Sequence, residues 1–189
     1  MAREIWLIRH GETEWSRSGA HTGRTDLPLT SEGERRAVHL RSVLAGQAFD
    51  LVLTSPLQRA RRTCELAGFG RQAILEPNLV EWDYGAYEGK STEQIRQVRP
   101  EWSLFRDGVP GGETLEQVAA RTQMVIDRIG TSGGNSVALF AHGHVLRILT
   151  ACWLELAPAA GARFALSTAG VSVLGYEHEV SVIDRWNFT

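Results

Sequence analysis

The sequence predicts an α/β fold of three layers (α/β/α), with helices on both faces of a mostly parallel central sheet. Short runs of β-branched and other apolar residues alternate with longer stretches in which apolar residues recur at helical spacing. Strands that alternate with helices in this way usually pair in parallel, and the helices cover both faces of the sheet. The 189 residues suit one sizeable core, so we expect a single domain over residues 1–189.

The predicted elements follow one another in a regular order. The runs EIWLIRH and FDLVLTS predict two strands, and they precede the helical patterns SEGERRAVHLRSVLAG and LQRARRTCELAG. Later, ETLEQVAARTQMVIDRI predicts a helix, NSVALFAHG a buried strand and HVLRILTACWLEL another helix. The final AGVSVLGYEHEVSVIDRWN predicts two antiparallel strands that turn between Glu177 and Val180. The free edge of this strand pair offers an interface for a homodimer.

The segment 81–112 interrupts the alternation of strands and helices. It contains EWDYGAYEG and RPEWSLFRDG, two stretches rich in aromatic residues and bounded by glycine turns. Insertions placed in this way often carry specificity. We therefore expect these residues to pack on the core and to cover a site as a lid.

The composition argues against several classes of function. Twenty Lys and Arg against 22 Asp and Glu leave a net charge of −2, so nucleic acids and anionic membranes are not expected partners. No stretch approaches the roughly 20 apolar residues of a membrane span, and MAREIWLIRHGE lacks a signal-peptide core, so we expect a cytoplasmic protein. Without secretion, the glycosylation sequon NFT near the C-terminus has no meaning. Cys64 and Cys152 form no CxxC pair and are predicted to be buried.

Three of the predicted strands end in residues that could bind an anion. Arg9 and His10 follow one strand, His142 follows another, and SPLQRARRT opens a helix whose first turn carries Arg59. Because ligands of open parallel sheets bind beyond the carboxyl ends of the strands, we expect these four side chains to lie together. Glycine follows each histidine, and we expect it to let a ligand approach the backbone.

This set of residues suits a phosphate group. Guanidinium groups bind phosphate oxygens through paired, charge-assisted hydrogen bonds. Nearby positive charge lowers the pKa of a histidine below its ordinary value of roughly 6.5, which leaves a ring lone pair free to attack phosphorus. His10 is the candidate nucleophile, and Arg9, Arg59 and His142 are candidates for stabilising the transferred phosphoryl group.

The leaving group of such a reaction needs a proton, and LVEWDYG offers two carboxyl groups. We prefer Glu81 as the acid, because it directly follows apolar residues and burial would favour its protonated form. Asp83 is the alternative, and the spacing does not decide between them.

A metal site is the competing interpretation of His142 and His144. Alternate residues of a strand point to opposite faces, and no paired carboxylate motif accompanies these histidines. We therefore do not expect a metal ion at these histidines.

Five segments resemble the histidine phosphatase superfamily, also called the phosphoglycerate mutase-like fold. They are RHGETEW, HTGRTDLPLTSEG, SPLQRARRT, EWDYGAYEG and FAHGH, and their order and span cover nearly the whole chain. The resemblance implies a phosphohistidine intermediate on His10 and an acid/base role for Glu81. It implies a phosphate pocket formed by Arg9, Arg59 and His142, and substrate contacts at Thr22, Gly23, Tyr84 and His144. It implies neither a metal nor an organic cofactor.

Departures from the family pattern favour hydrolysis. Trp15-Ser16 replaces the Trp-Asn pair of the cofactor-dependent phosphoglycerate mutases, so one polar contact with phosphate is altered at Ser16. The long basic insertion and the C-terminal tail of those mutases are not found, which favours water as the phosphoryl acceptor.

The expected activity is therefore that of a phosphomonoesterase. The sequence looks most similar to the branch that contains sedoheptulose-bisphosphatase-like enzymes and broad-specificity mycobacterial acid phosphatases, which implies a small phosphorylated metabolite, a sugar phosphate, as substrate. The alternatives are a mutase-type phosphotransferase and a non-catalytic phosphate-binding or partner-binding module.

Overall fold

A six-stranded sheet forms the centre of the molecule. The computed structural model describes residues 4–189, so residues 1–3 of the predicted domain lie outside it. The strands are β1 (Glu4–Arg9), β2 (Leu51–Thr54), β3 (Ala73–Leu75), β4 (Ser136–Ala141), β5 (Val171–Glu177) and β6 (Val180–Phe188). Their spatial order is β3-β2-β4-β1-β5-β6. The pairs among β1 to β4 are parallel, whereas β5 pairs antiparallel with both β1 and β6.

The helices that flank this sheet are α1 (Glu14–Ser18), α2 (Ser31–Val43), α3 (Gln58–Leu66), α4 (Thr92–Val98), α5 (Leu104–Asp107), α6 (Leu115–Thr131) and α7 (Gly143–Trp153). Short 3-10 helices cover Pro77–Leu79, Gly85–Tyr87 and Pro158–Arg163. Side chains of α2 and α3 join one hydrophobic cluster, and side chains of α6 and α7 join another.

Alternate residues of β1 lie in these two clusters. Ile5 and Leu7 belong to the cluster of α6 and α7, whereas Trp6 and Ile8 belong to the cluster of α2 and α3. A central strand that is buried on both faces is apolar at consecutive positions, which explains the apolar run between Glu4 and Arg9. The three-layer α/β fold predicted from the alternation of patterns is thereby confirmed.

Several boundaries differ from the predicted ones. The helix after β2 begins at Gln58 rather than at the proline of SPLQ, with Leu57 at its N-cap, although Arg59 still lies in its first turn. Strand β3 was not predicted, because three residues are too few to show a period of two. The predicted turn between Glu177 and Val180 is found where β5 ends and β6 begins.

The segment 81–112 packs on the cluster formed by α6 and α7. Trp82 and Trp102 are buried in this cluster, and Leu104 at the start of α5 joins them. The aromatic residues of the segment therefore extend the core, and a role as a lid stays a prediction.

Within residues 4–189, no helix is long and apolar enough to span a membrane. Cys64 is buried in α3, as predicted, whereas Cys152 in α7 is only partly buried.

Candidate active site

His10 directly follows β1 and is buried. Its Nδ1 lies 2.7 Å from the carbonyl oxygen of Gly11, so Nδ1 carries the proton that this bond requires and Nε2 keeps its lone pair. Burial lowers the pKa of His10 well below its ordinary value, and the positive charges of Arg59 and Arg9 lower it further. The nearby positive charge predicted from the sequence does lower the pKa of His10, but burial lowers it more. The geometry leaves a neutral ring with a free lone pair.

Arg9 brings a cation to the same end of the sheet. One terminal nitrogen of its guanidinium group donates to the carbonyl oxygen of Leu166, and its Nε–H is buried with no hydrogen-bond partner among the described residues. Burial lowers the pKa of Arg9 from its ordinary value of 12.5, yet a guanidinium group stays protonated in proteins. An unpaired, charged N–H group next to His10 is suited to an anionic ligand.

Arg59 and His142 form a second layer beneath this pair. Nε of Arg59 donates to Nδ1 of His142 at 3.1 Å, which requires that Nδ1 of His142 be unprotonated. Nε2 of His142 then carries the proton and donates to the hydroxyl of Ser55 at 2.8 Å. Burial lowers the pKa of His142 well below its ordinary value, with the charge of Arg59 as the next cause. The rings of His10 and His142 are 5.1 Å apart between centroids, so the two strand ends meet as predicted.

The guanidinium group of Arg59 is oriented by the loop at residues 22–25. Its terminal nitrogens donate to the carbonyl oxygens of Thr22, Gly23 and Thr25 at 3.1, 2.9 and 2.9 Å. Glu88 fixes this loop in turn, because its carboxylate accepts hydrogen bonds from the N–H groups of Gly23 and Thr25.

Glu81 is buried at the start of α7. Its carboxylate accepts hydrogen bonds from the N–H groups of Trp82, His144 and Val145 at 2.9, 3.0 and 2.9 Å. The carboxylate thus caps α7, in which the N-cap residue His142 makes no side-chain capping bond. Three backbone N–H groups therefore hold the Glu81 carboxyl group beside the cavity, and its role as the acid stays a prediction.

Asp83, the alternative acid, is placed differently. It accepts a hydrogen bond from the N–H group of Gly85 at 3.0 Å and lies 3.8 Å from Nε of Arg24. The cavity beside His10 is lined by Glu81 and not by Asp83.

This cavity has a volume of about 260 Å³. Its walls include three of the predicted catalytic residues, Arg9, His10 and Glu81. They also include four of the predicted substrate-binding residues, Ser16, Thr22, Tyr84 and His144. Arg59 and His142 do not line the cavity. Arg59 donates to the carbonyl oxygen of Thr22, which lines it, and His142 is bonded to Arg59.

Gly23 was predicted to contact the substrate, but it does not line the cavity. A Cβ atom at this residue would lie 2.5 Å from the carbonyl oxygen of Trp82, so the backbone is packed against protein. Gly23 is buried and is not among the residues that line the cavity. Its place in the site is to position Arg59.

The two glycines that follow His10 and His142 also face protein. A Cβ atom at Gly11 would lie 2.5 Å from the carbonyl oxygen of Gly33, and one at Gly143 would lie 3.3 Å from the guanidinium group of Arg9. The space that a side chain would take at these glycines is filled by protein, and approach of a ligand to their backbone stays a prediction. They allow α2 and Arg9 to pack closely.

The hydroxyl of Ser16 takes part in a capping box at α1. It accepts a hydrogen bond from the N–H group of Thr13 at 2.9 Å and donates to the carbonyl oxygen of Thr13 at 3.0 Å. Ser16 therefore lines the cavity with a hydroxyl that already has two partners.

His21 lines the cavity although it is not among the predicted site residues, and its Nε2 lies 3.3 Å from the hydroxyl of Thr92. Its ring centroid lies 4.9 Å from that of Tyr84 and 5.6 Å from that of Trp102, and burial lowers its pKa to about 4. Tyr84 in turn has its hydroxyl 2.6 Å from Nδ1 of His144. The sequence signal for His21 was its position next to Thr22.

The arrangement of His142 and His144 differs from the one considered for a metal site. His142 is the N-cap of α7 and His144 lies in its first turn, so neither is a strand residue. In the described part of the chain, no group of three or more His, Cys, Asp or Glu side chains is placed to hold a metal ion.

Comparisons with known proteins identify the family of this chain. Residues 5–189 match the family model of the histidine phosphatase superfamily, branch 1. The chain is 38% identical to an acid phosphatase of Mycobacterium tuberculosis, over 93% of this chain and 88% of that protein. It is 35% identical to a sedoheptulose 1,7-bisphosphatase of Saccharomyces cerevisiae, over 79% of this chain and 67% of that protein.

A solved structure extends the likeness to three dimensions. A mycobacterial glucosyl-3-phosphoglycerate phosphatase superposes with a TM-score of 0.89 at 27% identity, and the match covers 100% of both chains. Together with the family match over nearly all residues, this similarity shows that the chain belongs to branch 1 of the histidine phosphatase superfamily.

Proposed function

We propose that this protein is a phosphomonoesterase that hydrolyses small phosphate esters, sugar phosphates in particular, through a phosphohistidine intermediate on His10. The observation that carries the proposal is the neutral His10 ring, with its Nε2 lone pair free, in a cavity that the guanidinium group of Arg9 also lines. The names of the relatives, acid phosphatase, sedoheptulose 1,7-bisphosphatase and glucosyl-3-phosphoglycerate phosphatase, support the substrate class.

The first step transfers the phosphoryl group to the enzyme. Nε2 of His10 attacks phosphorus, the bond between phosphorus and the ester oxygen breaks, and the leaving alkoxide takes up a proton. Arg9 lines the cavity and stabilises the charge on the phosphoryl oxygens directly, whereas Arg59, behind the lining, adds a fixed positive charge that needs no reorganisation.

Glu81 supplies the proton to the leaving group in this scheme. The Glu81 carboxyl group carries this proton when the ester binds and recovers one from water in the second step. In both steps the carboxyl group stays held by the N–H groups of Trp82, His144 and Val145.

The second step returns the enzyme to its starting state. Glu81, now a carboxylate, takes a proton from a water molecule as the water oxygen attacks phosphorus. The bond between phosphorus and Nε2 breaks, inorganic phosphate is released, and His10 recovers its lone pair. No group of this scheme requires a metal ion, and we propose that the reaction is metal-independent.

The test is release of inorganic phosphate from an aryl phosphate, 3-phosphoglycerate and several sugar mono- and bisphosphates, with a chelator present. His10→Ala is the loss-of-function variant, and His39→Ala, at an exposed position of α2, is the matched control. We expect release by the wild type and by His39→Ala, and a loss of at least about 10³-fold in His10→Ala.

Three other results would contradict the proposal. Formation of an isomer without phosphate release would indicate a mutase-type phosphotransferase. Binding of inorganic phosphate without any turnover would indicate a non-catalytic module. Loss of activity on chelation would indicate a metal-dependent reaction.

A further inference from the structure

Residues 165–170, here called the strap, connect the 3-10 helix Pro158–Arg163 to β5 and contact the end of β1. The carbonyl oxygen of Leu166 accepts the hydrogen bond from the guanidinium group of Arg9. The N–H group of Ala169 donates to the carbonyl oxygen of His10 at 3.0 Å, and the N–H group of Arg9 donates to the carbonyl oxygen of Gly170 at 3.1 Å. The strap therefore holds both the side chain of Arg9 and the backbone of His10.

Strand β6 holds the strap from the other side. Oδ1 of Asn187 accepts a hydrogen bond from the N–H group of Ser167 at 2.8 Å, and Nδ2 of Asn187 lies 3.3 Å from the hydroxyl of Ser167. The indole N–H group of Trp186 donates to the carbonyl oxygen of Ala165. Two consecutive residues near the C-terminus thus contact the segment that orients Arg9.

The backbone of β6 is bent to make these contacts. The pairing of β5 with β6 shifts register where Val171 faces Phe188 and Val173 faces Arg185, which leaves Trp186 and Asn187 in a bulge. Asn187 has φ 52°, in the left-handed region that asparagine tolerates better than most residues. Bulges re-aim a side chain, and this bulge aims the amide of Asn187 at the strap.

The fit between Asn187 and the strap is close. A Cβ atom at Gly170 would lie 2.5 Å from Oδ1 of Asn187, so a glycine is required at that point of the strap. The N–H group of Asn187 donates to the hydroxyl of Ser172 at 2.9 Å, which fixes the bulge itself.

We propose that Asn187 is a positioning residue of the phosphate site, which holds the strap so that Leu166 orients the guanidinium group of Arg9 toward bound phosphate. The inference rests on the proposed function. It gives Asn187, the first residue of the NFT stretch, a structural role that is unrelated to glycosylation. Asn187 acts through the strap and through Arg9.

The test compares two substitutions that both suit a left-handed backbone. Asn187→Gly keeps the bulge and removes the amide, whereas Asn187→Asp keeps an oxygen that can accept from the N–H group of Ser167. Ile183→Ala is the structural control, because Ile183 lies on the same strand and packs against the core. For each variant, the thermal midpoint, the dissociation constant of inorganic phosphate and kcat/KM are measured.

We expect Asn187→Gly to weaken phosphate binding and to lower kcat/KM by about tenfold or more, because small displacements of charged groups at a reacting centre are costly. Asn187→Asp is expected to restore most of both quantities. Ile183→Ala is expected to lower the thermal midpoint and to leave phosphate binding unchanged.

Wild-type phosphate binding in Asn187→Gly would overturn the inference, and so would an equal loss of binding in Ile183→Ala. A wild-type protein that binds phosphate but releases none from esters would overturn the proposed function alone, since the binding comparison still decides the role of Asn187. A wild-type protein that neither binds phosphate nor releases it from esters would overturn both the inference and the proposed function.

Discussion

At the scale of single residues, the site keeps histidines neutral beside fixed positive charge. The pKa values of His10, His142 and His144 are all lowered well below their ordinary value, and burial is the largest cause in each. A neutral ring is a nucleophile or a hydrogen-bond acceptor, whereas a protonated ring is neither. Burial at the strand ends therefore prepares the chemistry as much as the arginines do.

The titration of His10 follows from these contacts. Because burial and the charges of Arg59 and Arg9 favour the neutral ring, His10 should take up its proton only well below pH 6.5. Replacing Arg9 by Met removes one of the three causes, so the pKa of His10 should rise in that variant. An NMR titration of the His10 ring checks both statements, and a wild-type midpoint at or above pH 6.5 would contradict them.

Substitution of Glu81 separates proton donation from phosphate binding. Glu81→Gln cannot deliver a carboxyl proton, so it should slow alkyl phosphates by about 10²- to 10⁴-fold. Aryl phosphates should be slowed much less, because their leaving groups need little protonation. The measurement is kcat/KM for one alkyl and one aryl ester, and equal slowing of the two would rule out Glu81 as the acid.

At the scale of elements, loops transmit the orientation of the cations. The loop at residues 22–25 supplies three carbonyl oxygens to Arg59. Two N–H groups of the same loop donate to the carboxylate of Glu88, which holds the loop in place. The start of α7 is held in the same manner by Glu81. Two carboxylates from the segment 81–112 thus fix backbone near the cavity, which ties this segment to the site.

Removal of the Glu88 carboxylate should loosen the loop without changing proton transfer. We expect Glu88→Ala to lower kcat/KM by about 10- to 100-fold, since Arg59 loses its fixed acceptors. The ratio of alkyl to aryl rates should stay at its wild-type value, which distinguishes Glu88 from Glu81. Glu93→Ala, at an exposed position of α4, serves as the control and should behave as the wild type. A changed ratio in Glu88→Ala would show that Glu88 takes part in proton transfer.

At the scale of the whole molecule, the buried histidines link folding to pH. The pKa of His21 is lowered to about 4, and those of His10, His142 and His144 are lowered as well. Below about pH 6.5 the unfolded chain binds protons at these residues and the native protein does not. The free energy of unfolding should therefore decrease as the pH falls from about 7 toward about 5.

Urea unfolding at several pH values measures this dependence. His21→Gln should make the decrease shallower, because one of the responsible groups is gone, whereas His39→Gln at the exposed position of α2 should not. A free energy of unfolding that stays constant or rises between about pH 7 and about pH 5 would contradict the prediction.

The long elements and the main site residues could be predicted from the sequence because they leave periodic or terminal signals. The two-sided burial of β1 requires apolar residues at its four middle positions, and Arg9 and His10 follow at its carboxyl end. Strand β3 and the cavity position of His21 left no such signal. A three-residue strand shows no period, and the surroundings of His21 come from residues distant in the chain.

By itself, the sequence determined the fold class and the order of the principal strands and helices, and it predicted that Arg9, His10, Arg59 and His142 lie together near the ends of three strands. Only the tertiary structure decided which groups contact these residues. It placed three N–H donors on Glu81, the carbonyl oxygens of residues 22–25 on Arg59, and the Asn187-held strap on Arg9. The physical reason is that hydrogen bonds between distant backbone groups depend on how loops pack, and most residue types can supply a backbone N–H or C=O group.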